Sequence, residues 1–141
     1  MGTRAWILIA ALLGASGVAL GAYQAHGLQR LLDNQADLEP AMKTKRLENC
    51  GTAVRYQLVH ALAMLGLASL SMQVRSRLLS VVGVLWLVGT VAFTVPLYLF
   101  SIAGWNGLVH VVPLGGVMMI FGWLMLGGGA CLWKLTPAPQ G

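Results

Sequence analysis

Charge is what this sequence has least of. Nine Lys or Arg and four Asp or Glu among 141 residues make 9% charged, against about 25% in ordinary soluble domains. Thirteen charges cannot coat a globule of 15.0 kDa, so a soluble globular domain is excluded. With 57% hydrophobic residues and a mean hydropathy of +0.76, so is a disordered tail. Acidic groups are absent from every long apolar run, which leaves a carboxylate proton relay or cation transporter without candidates. Cysteine is scarce as well. Cys50 and Cys131 are expected on opposite membrane faces, too far apart for a bridge that needs Cα atoms within about 7 Å. No alternating segments of apolar and polar residues suggest a transmembrane barrel. No Ser-His-Asp or Cys-His set, phosphate-cradling loop or paired carboxylate site is recognisable, so an enzyme is not expected. The net charge of +5 comes without a basic stripe or interleaved aromatics, and nucleic acid is not an expected partner.

What the chain does have is four apolar stretches, at about 5–25, 53–72, 78–100 and 111–133. Each can cross a hydrocarbon core of roughly 30 Å as a helix rising about 1.5 Å per residue. Lipid offers no water to unpaired backbone groups, so helices are the form such stretches take. The expected fold is all-α: one transmembrane domain over residues 1–141, an integral membrane four-helix bundle in the lipid bilayer. A short amphipathic helix should lie between spans one and two, where Leu28, Leu31 and Leu32 recur at helical spacing beside Gln29, Arg30 and Asp33. Pro40 suits the first turn of a second helix that begins outside the membrane and continues through it. The tail from Thr136, with two prolines, is expected to fray.

The first span also has features of a cleavable secretory signal, with Arg4 ahead of an apolar run and small residues at Ala19, Gly21 and Ala22. Its small-xxx-small steps favour a retained helix. Gly17, Gly21 and Ala25 make two such steps, and Ala10 with Gly14 makes a third. Steps of this kind let helix backbones approach in lipid, where packing drives association. Gly14, Gly17, Gly21, Gly115, Gly116 and Gly122 are therefore expected at helix crossings. Arg4, Arg75, Arg77 and Lys134 lie closest to span ends on one side, which places both termini in the cytoplasm. Tyr23, Tyr56 and Tyr98 on the outer side, and Trp6 and Trp133 on the inner, read as an aromatic belt.

Nearly all remaining polar side chains map to the outer third: Gln24, His26, Arg55, Tyr56, Gln57, His60, Asn106 and His110. His60 is the one ionisable group well inside a span, and an intramembrane ionisable residue is a candidate for function. A neutral histidine that hydrogen-bonds a neighbouring helix is the competing structural role. Arg55 can snorkel to the interface, pair with Glu48 two turns earlier, or hold a lipid phosphate. The candidate polar or ligand site is thus His26, Arg55, Tyr56, Gln57, His60 and His110. Haem would require two of the histidines to face each other across the bundle. No metal and no cofactor is otherwise implied, and Met118, Met119 and Met125 read as pliable packing residues. Pro96 removes a backbone hydrogen bond within span three.

Three stretches carry a likeness: GAYQAHGLQRLL at 21–32, AVRYQLVHALAML at 53–65 and PLGGVMMIFGWLML at 113–126. With them the chain resembles a family of small four-helix inner-membrane proteins of unknown function, which includes the YgdD-type bacterial proteins and, more distantly, animal transmembrane protein 256. Gly21, Ala22, His26, Leu28, Arg55, Tyr56, His60, Ala61, Gly115, Gly116, Gly122 and Trp123 match its signature positions. Thr94-Val95-Pro96-Leu97-Tyr98 departs from a Ser-Gly-Ser-Leu-Tyr run, and Trp105-Asn106 stands where relatives often have Arg-Trp. The long connection is also enlarged. The resemblance implies a bacterial inner-membrane location and the fold, and supplies no reaction. The resulting expectation is a non-catalytic accessory or assembly subunit, packed against other membrane subunits or itself. Its alternatives are a small transport or lipid-binding protein using Arg55 and His60, and a haem-binding electron carrier.

Overall fold

The computed structural model describes residues 2–74 and 76–133; Arg75, Lys134 and the proline-containing tail lie outside them. Among the described residues every element is helical. Helix α1 spans Thr3–Tyr23 and runs through a π-helical turn, Gln24–Leu28, into the short α2, Gln29–Asp33. Helix α3, Pro40–Gln73, is unbroken over 34 residues, with Pro40 in its first turn, where a missing N–H costs nothing. Helix α4 spans Arg77–Ala103. It starts on Ser76, whose Oγ accepts from Leu78 N, and stops at Gly104, whose φ of 71° is costly for any residue with a Cβ. A 3-10 turn, Val109–Val111, leads into α5, Val112–Ala130. Four of these segments are long and apolar enough to cross a membrane. The amphipathic helix between spans one and two is present as α2, with Leu28 and Leu32 fully inside and Gln29, Arg30 and Asp33 exposed. The π turn joins it to α1 without a loop. At Gly27 a Cβ would stand 2.5 Å from Tyr23 Cδ2, so only glycine admits the Tyr23 ring against this widened turn.

The helices pack in chain order: α1 on α3, α3 on α4, α4 on α5. The ends of the row do not close on each other to a comparable extent. In the most apolar 18-residue stretch of each span, 44% and 39% of residues are buried for α3 and α4, but 17% for the α1 and α5 segments. Buried positions on α3 include 46, 50, 53, 57, 60, 64 and 67, alternating steps of four and three, with Val54, Ala61 and Ala68 buried beside that stripe. That seam is the one left-handed helix pairs use.

Tryptophan and glycine mesh the helices at the end that carries the N-terminus. A Cβ on Gly83 would lie 2.5 Å from Trp6 Cη2, and one on Gly122 would lie 2.5 Å from Trp86 Nε1. Each indole thus fills the gap that a neighbouring helix's glycine leaves. Trp6 is 1% exposed within a cluster holding Met64, Leu67, Leu79, Val82 and Trp86. This corrects the expectation that Trp6 anchors at the interface: the cleft over Gly83 takes the whole ring. Between α4 and α5 the backbones themselves meet, because a Cβ on Gly115 would stand 2.6 Å from Phe93 N and 2.7 Å from Gly89 O. On α1, a Cβ on Gly17 would lie 2.8 Å from Leu58 Cδ2, and one on Gly21 would lie 3.3 Å from Val54 Cγ1. Two expected crossing glycines behave otherwise. Gly14 faces open space beside a shallow groove, and a Cβ on Gly116 would make ordinary contact with Phe93 at 3.9 Å.

Candidate functional site

The end of the bundle that carries the long connection is organised around a cation. Arg46 is 5% exposed. Its Nε donates to Ser101 O at 2.9 Å, one terminal nitrogen to Ile102 O at 2.8 Å, and the other to Gln35 Oε1 at 3.1 Å. Ser101 and Ile102 lie in the last turn of α4, where carbonyls have no partner within the helix and the helix dipole is negative. A side chain from α3 thereby completes the end of α4, and Gly104 lets the chain turn away with the guanidinium close by. Arg46 sits among Lys43, Lys45 and Glu48 in the polar first turns of α3, where a surface cation is the ordinary reading. Stepping back from His60 by three and four residues reaches Gln57, Ala53, Cys50 and Arg46, and that stripe was the signal for it.

About three turns further along α3, Gln57 ties three helices together. Its Nε2 donates to Leu13 O and Ser16 Oγ on α1, both at 2.8 Å, and its Oε1 accepts from Tyr98 Oη on α4 at 2.8 Å. Gly17 leaves the room, since a Cβ there would come within 3.4 Å of Gln57 Nε2. Tyr98, expected as an interfacial anchor, is instead 9% exposed and spends its hydroxyl inside the bundle. Pairing a phenol in lipid stabilises more than leaving it bare. Gln24 adds a further link at the π turn, donating to Leu47 O at 3.3 Å.

His60 is 3% exposed and held differently. Its Nδ1 is 2.9 Å from Tyr56 O. A carbonyl only accepts, so Nδ1 carries the proton and Nε2 keeps a lone pair. Among the described residues no partner meets that Nε2. The ring sits edge-on to Trp86 of α4 and Trp123 of α5, with centroids at 6.1 and 6.3 Å, while Trp86 and Trp123 contact each other at 4.5 Å. Tyr56 stacks near it, with an interplanar angle of 11°, and tilts onto Phe93 at 4.7 Å. Together Arg55, Tyr56, Val59, His60 and Trp123 line a groove of about 350 Å³ between α3 and α5. Arg55 is exposed at its rim, where its Nε turns back to Gly51 O at 3.4 Å.

The other sequence candidates lie elsewhere. His26 is exposed on the π turn, and His110 is exposed on the 3-10 turn. His110 borders a second groove, of about 310 Å³, shared with Lys45, Asn49, Phe100 and Asn106. Of the six residues expected to form a site, Arg55, Tyr56 and His60 share one groove, Gln57 turns inward to the helix clamp, and the other two histidines stand apart. Among the described residues no group of three or more His, Cys, Asp or Glu is arranged to hold a metal ion. Trp123, which lines the groove, and Trp86, which stands edge-on to His60 behind it, were missed as site residues: only the family resemblance marks Trp123, and nothing in the apolar run marks Trp86.

Comparison with known proteins matches residues 20–116 to the family described as protein of unknown function (DUF423). A UPF0382 membrane protein of Haemophilus influenzae is 31% identical over 125 residues, covering 89% of this chain and 92% of its own. The UPF0382 membrane protein YwdK of Bacillus subtilis is 33% identical, with 87% and 93% covered. The UPF0382 inner membrane protein YgdD of Escherichia coli is 33% identical over 131 residues, with 92% of each chain covered. No solved structure matches.

Proposed function

The chain belongs to the family of unknown function DUF423, and, taking its four-span membrane architecture as given, we propose that it is a non-catalytic inner-membrane protein that works by packing, as an accessory or assembly subunit. The observation that carries this is the imbalance of burial. The two inner helices use 44% and 39% of their apolar stretches within the fold, whereas the end segments use 17% each. Their remaining faces, with Leu8, Leu12 and Val18 on α1 and Leu114, Ile120 and Leu124 on α5, are free for other subunits or a second copy. Open space at Gly14, Gly127 and Gly128 would let another helix come close there. Inside the fold, Arg46, Gln57 and Tyr98 are engaged in holding helices together, which favours a structural role over catalysis. The inner-membrane location follows the name of the Escherichia coli relative. Arg4 and Arg77 near span ends favour cytoplasmic termini for one transmembrane domain. Mild-detergent co-purification at near-native expression, read by mass spectrometry, tests this. A stoichiometric partner or a stable oligomer is expected, and recovery solely as an isolated monomer overturns it.

A second reading, binding of an amphiphile at Arg55 and His60, is favoured by one specific observation: the buried, unpaired Nε2 of His60 beside an apolar groove. Haem binding has weaker support, because His26 and His110 are exposed and do not share the His60 groove. A Soret band in the purified protein would raise it.

A further inference from the structure

The groove that His110 borders differs from the one beside His60 in having polar walls. On its α3 side stand Lys45 and Asn49, one helical turn apart, and on its far side Asn106 and His110 from the connection between α4 and α5. Lys45, Asn106 and His110 are exposed and Asn49 is half-buried, so these groups can be reached from outside. Leu97 and Phe100 line it from α4, and the Lys45 ammonium stands over the Phe100 ring, 5.8 Å from its centroid. No carboxylate is among the lining residues; Glu48, next to Asn49 on α3, is exposed outside the groove. The negative end of the α4 dipole is already answered by Arg46, which is bonded to the Ser101 and Ile102 carbonyls. Lysine binds phosphate as a point charge, and the two amides beside it both donate and accept. The set suits an anion that carries neutral hydroxyl groups.

Height in the bundle narrows the choice of anion. Helix α4 has 27 residues, a length of about 40 Å, close to the roughly 40–45 Å of a bilayer with its headgroups. The last turn of α4, which holds Phe100, is thus level with the phosphates of one leaflet. The connection that follows is free of charge and exposes Trp105, Leu108 and Val109, as suits a segment at the membrane–water interface. A volume of about 310 Å³ is at the small end for a ligand pocket. It suits a headgroup and leaves the acyl chains in the bilayer.

We propose that this groove binds the headgroup of an anionic phospholipid whose phosphodiester carries an uncharged polyol, as in phosphatidylglycerol. The phosphate lies on Lys45, and the polyol hydroxyls meet Asn49, Asn106 and His110. A choline or ethanolamine headgroup would instead bring a cation to a groove that has a lysine and no carboxylate. The site is separate from the Arg55 and His60 groove and does not depend on what covers the end helices.

The test uses the full chain in nanodiscs of phosphatidylcholine, phosphatidylglycerol and phosphatidylmethanol, the last an anionic phosphodiester without hydroxyls. Native mass spectrometry counts the lipids each chain retains on release from the disc. Phosphatidylglycerol is expected to be retained over phosphatidylcholine, and Lys45→Gln to lower its retention about fivefold, the order of one cation at an anionic lipid surface. Lys43→Gln makes the same charge change two residues away, outside the groove, and should leave retention unchanged. Phosphatidylglycerol should exceed phosphatidylmethanol about threefold, the size of one modest hydrogen bond. Asn106→Ala combined with His110→Ala, both at exposed positions, should bring that ratio near one. Equal retention of phosphatidylglycerol and phosphatidylcholine, or equal losses from Lys43→Gln and Lys45→Gln, overturns the site. Equal retention of phosphatidylglycerol and phosphatidylmethanol, or a ratio that survives the double variant, overturns recognition of the polyol. Displacement of the retained lipid by millimolar glycerophosphoglycerol assigns the groove to a soluble phosphodiester and overturns the lipid as its occupant.

Discussion

The two ends of the bundle solve the same problem by different physics. At the end that holds the N-terminus, Trp6, Met64, Leu79, Val82 and Trp86 close an apolar cluster by fitting rings over glycines. At the end that holds the long connection, Leu28, Leu32, Cys50 and Leu97 pack around hydrogen bonds from Arg46, Gln57 and Tyr98. Lipid tails are as apolar as leucine, so burying a leucine between helices stabilises little by itself in a membrane. Shape must hold the first end and polar pairing the second. The difference teaches where tolerance lies: the apolar end should accept polar change poorly and conservative shape change worse, whereas the polar end should accept isosteres that keep its bonds.

The sharpest way to break this comparison is at the glycine crossing between α4 and α5. Gly115→Ala sets a methyl group against Phe93 N and Gly89 O, backbone atoms that cannot swing aside. The expected loss exceeds the roughly 1–3 kcal/mol of ordinary overpacking, measured by reversible unfolding in detergent micelles. Gly122→Ala meets a side chain, Trp86, and should cost less, within that range. At the polar end, Arg46→Met removes three donors and strips two carbonyls from the end of α4, for an expected loss of about 2–3 kcal/mol. Arg46→Lys should recover part of this, since an ammonium cannot span the same fork.

Gln57→Leu should cost less, about 1 kcal/mol, because hydrogen bonds between membrane helices average roughly 0.6 kcal/mol and reach about 1.7. Leu13 O and Ser16 Oγ keep or find partners within α1, so Tyr98 Oη is the main group left unpaired. A double-mutant cycle with Tyr98→Phe sharpens the point: a coupling near the whole single-mutant loss says the pair acts as one unit. The smallest effect is expected at Gly14→Ala, within about 0.5 kcal/mol, because nothing lies within 4 Å of the new methyl group. A Gly14→Ala variant as damaging as Gly17→Ala would mean that another helix covers α1, which would itself favour the subunit reading.

Residue by residue, the sequence was most informative where one type excludes alternatives. Charge-free runs of about 20 residues required helices, Pro40 marked the start of α3, and Leu28 with Leu32 marked the buried side of α2. It was least informative where identical residues have different neighbours. Gly14 and Gly17 lie on one helix, each in a small-xxx-small step, yet one faces space and the other Leu58. Trp6 and Tyr98 carry the composition of a belt and are core residues. Arg46 reads as one of several surface cations, although its place on the four-three stripe of α3 marks it for burial. His60 was visible as a singular group inside a span, but its state depends on the bond to Tyr56 O and on two tryptophans from other helices.

By itself, then, the sequence determined the solvent this protein lives in, the number of its membrane-length helices and the points where they start. Those follow from local composition, because each apolar run must satisfy its own backbone whatever lies beside it. Which glycines touch, which cation caps a helix 55 residues away and which nitrogen is left with an idle lone pair were decided by the tertiary structure alone. These depend on how helices rotate against one another, and an apolar surface that runs all the way round a helix carries no preferred face to announce that rotation.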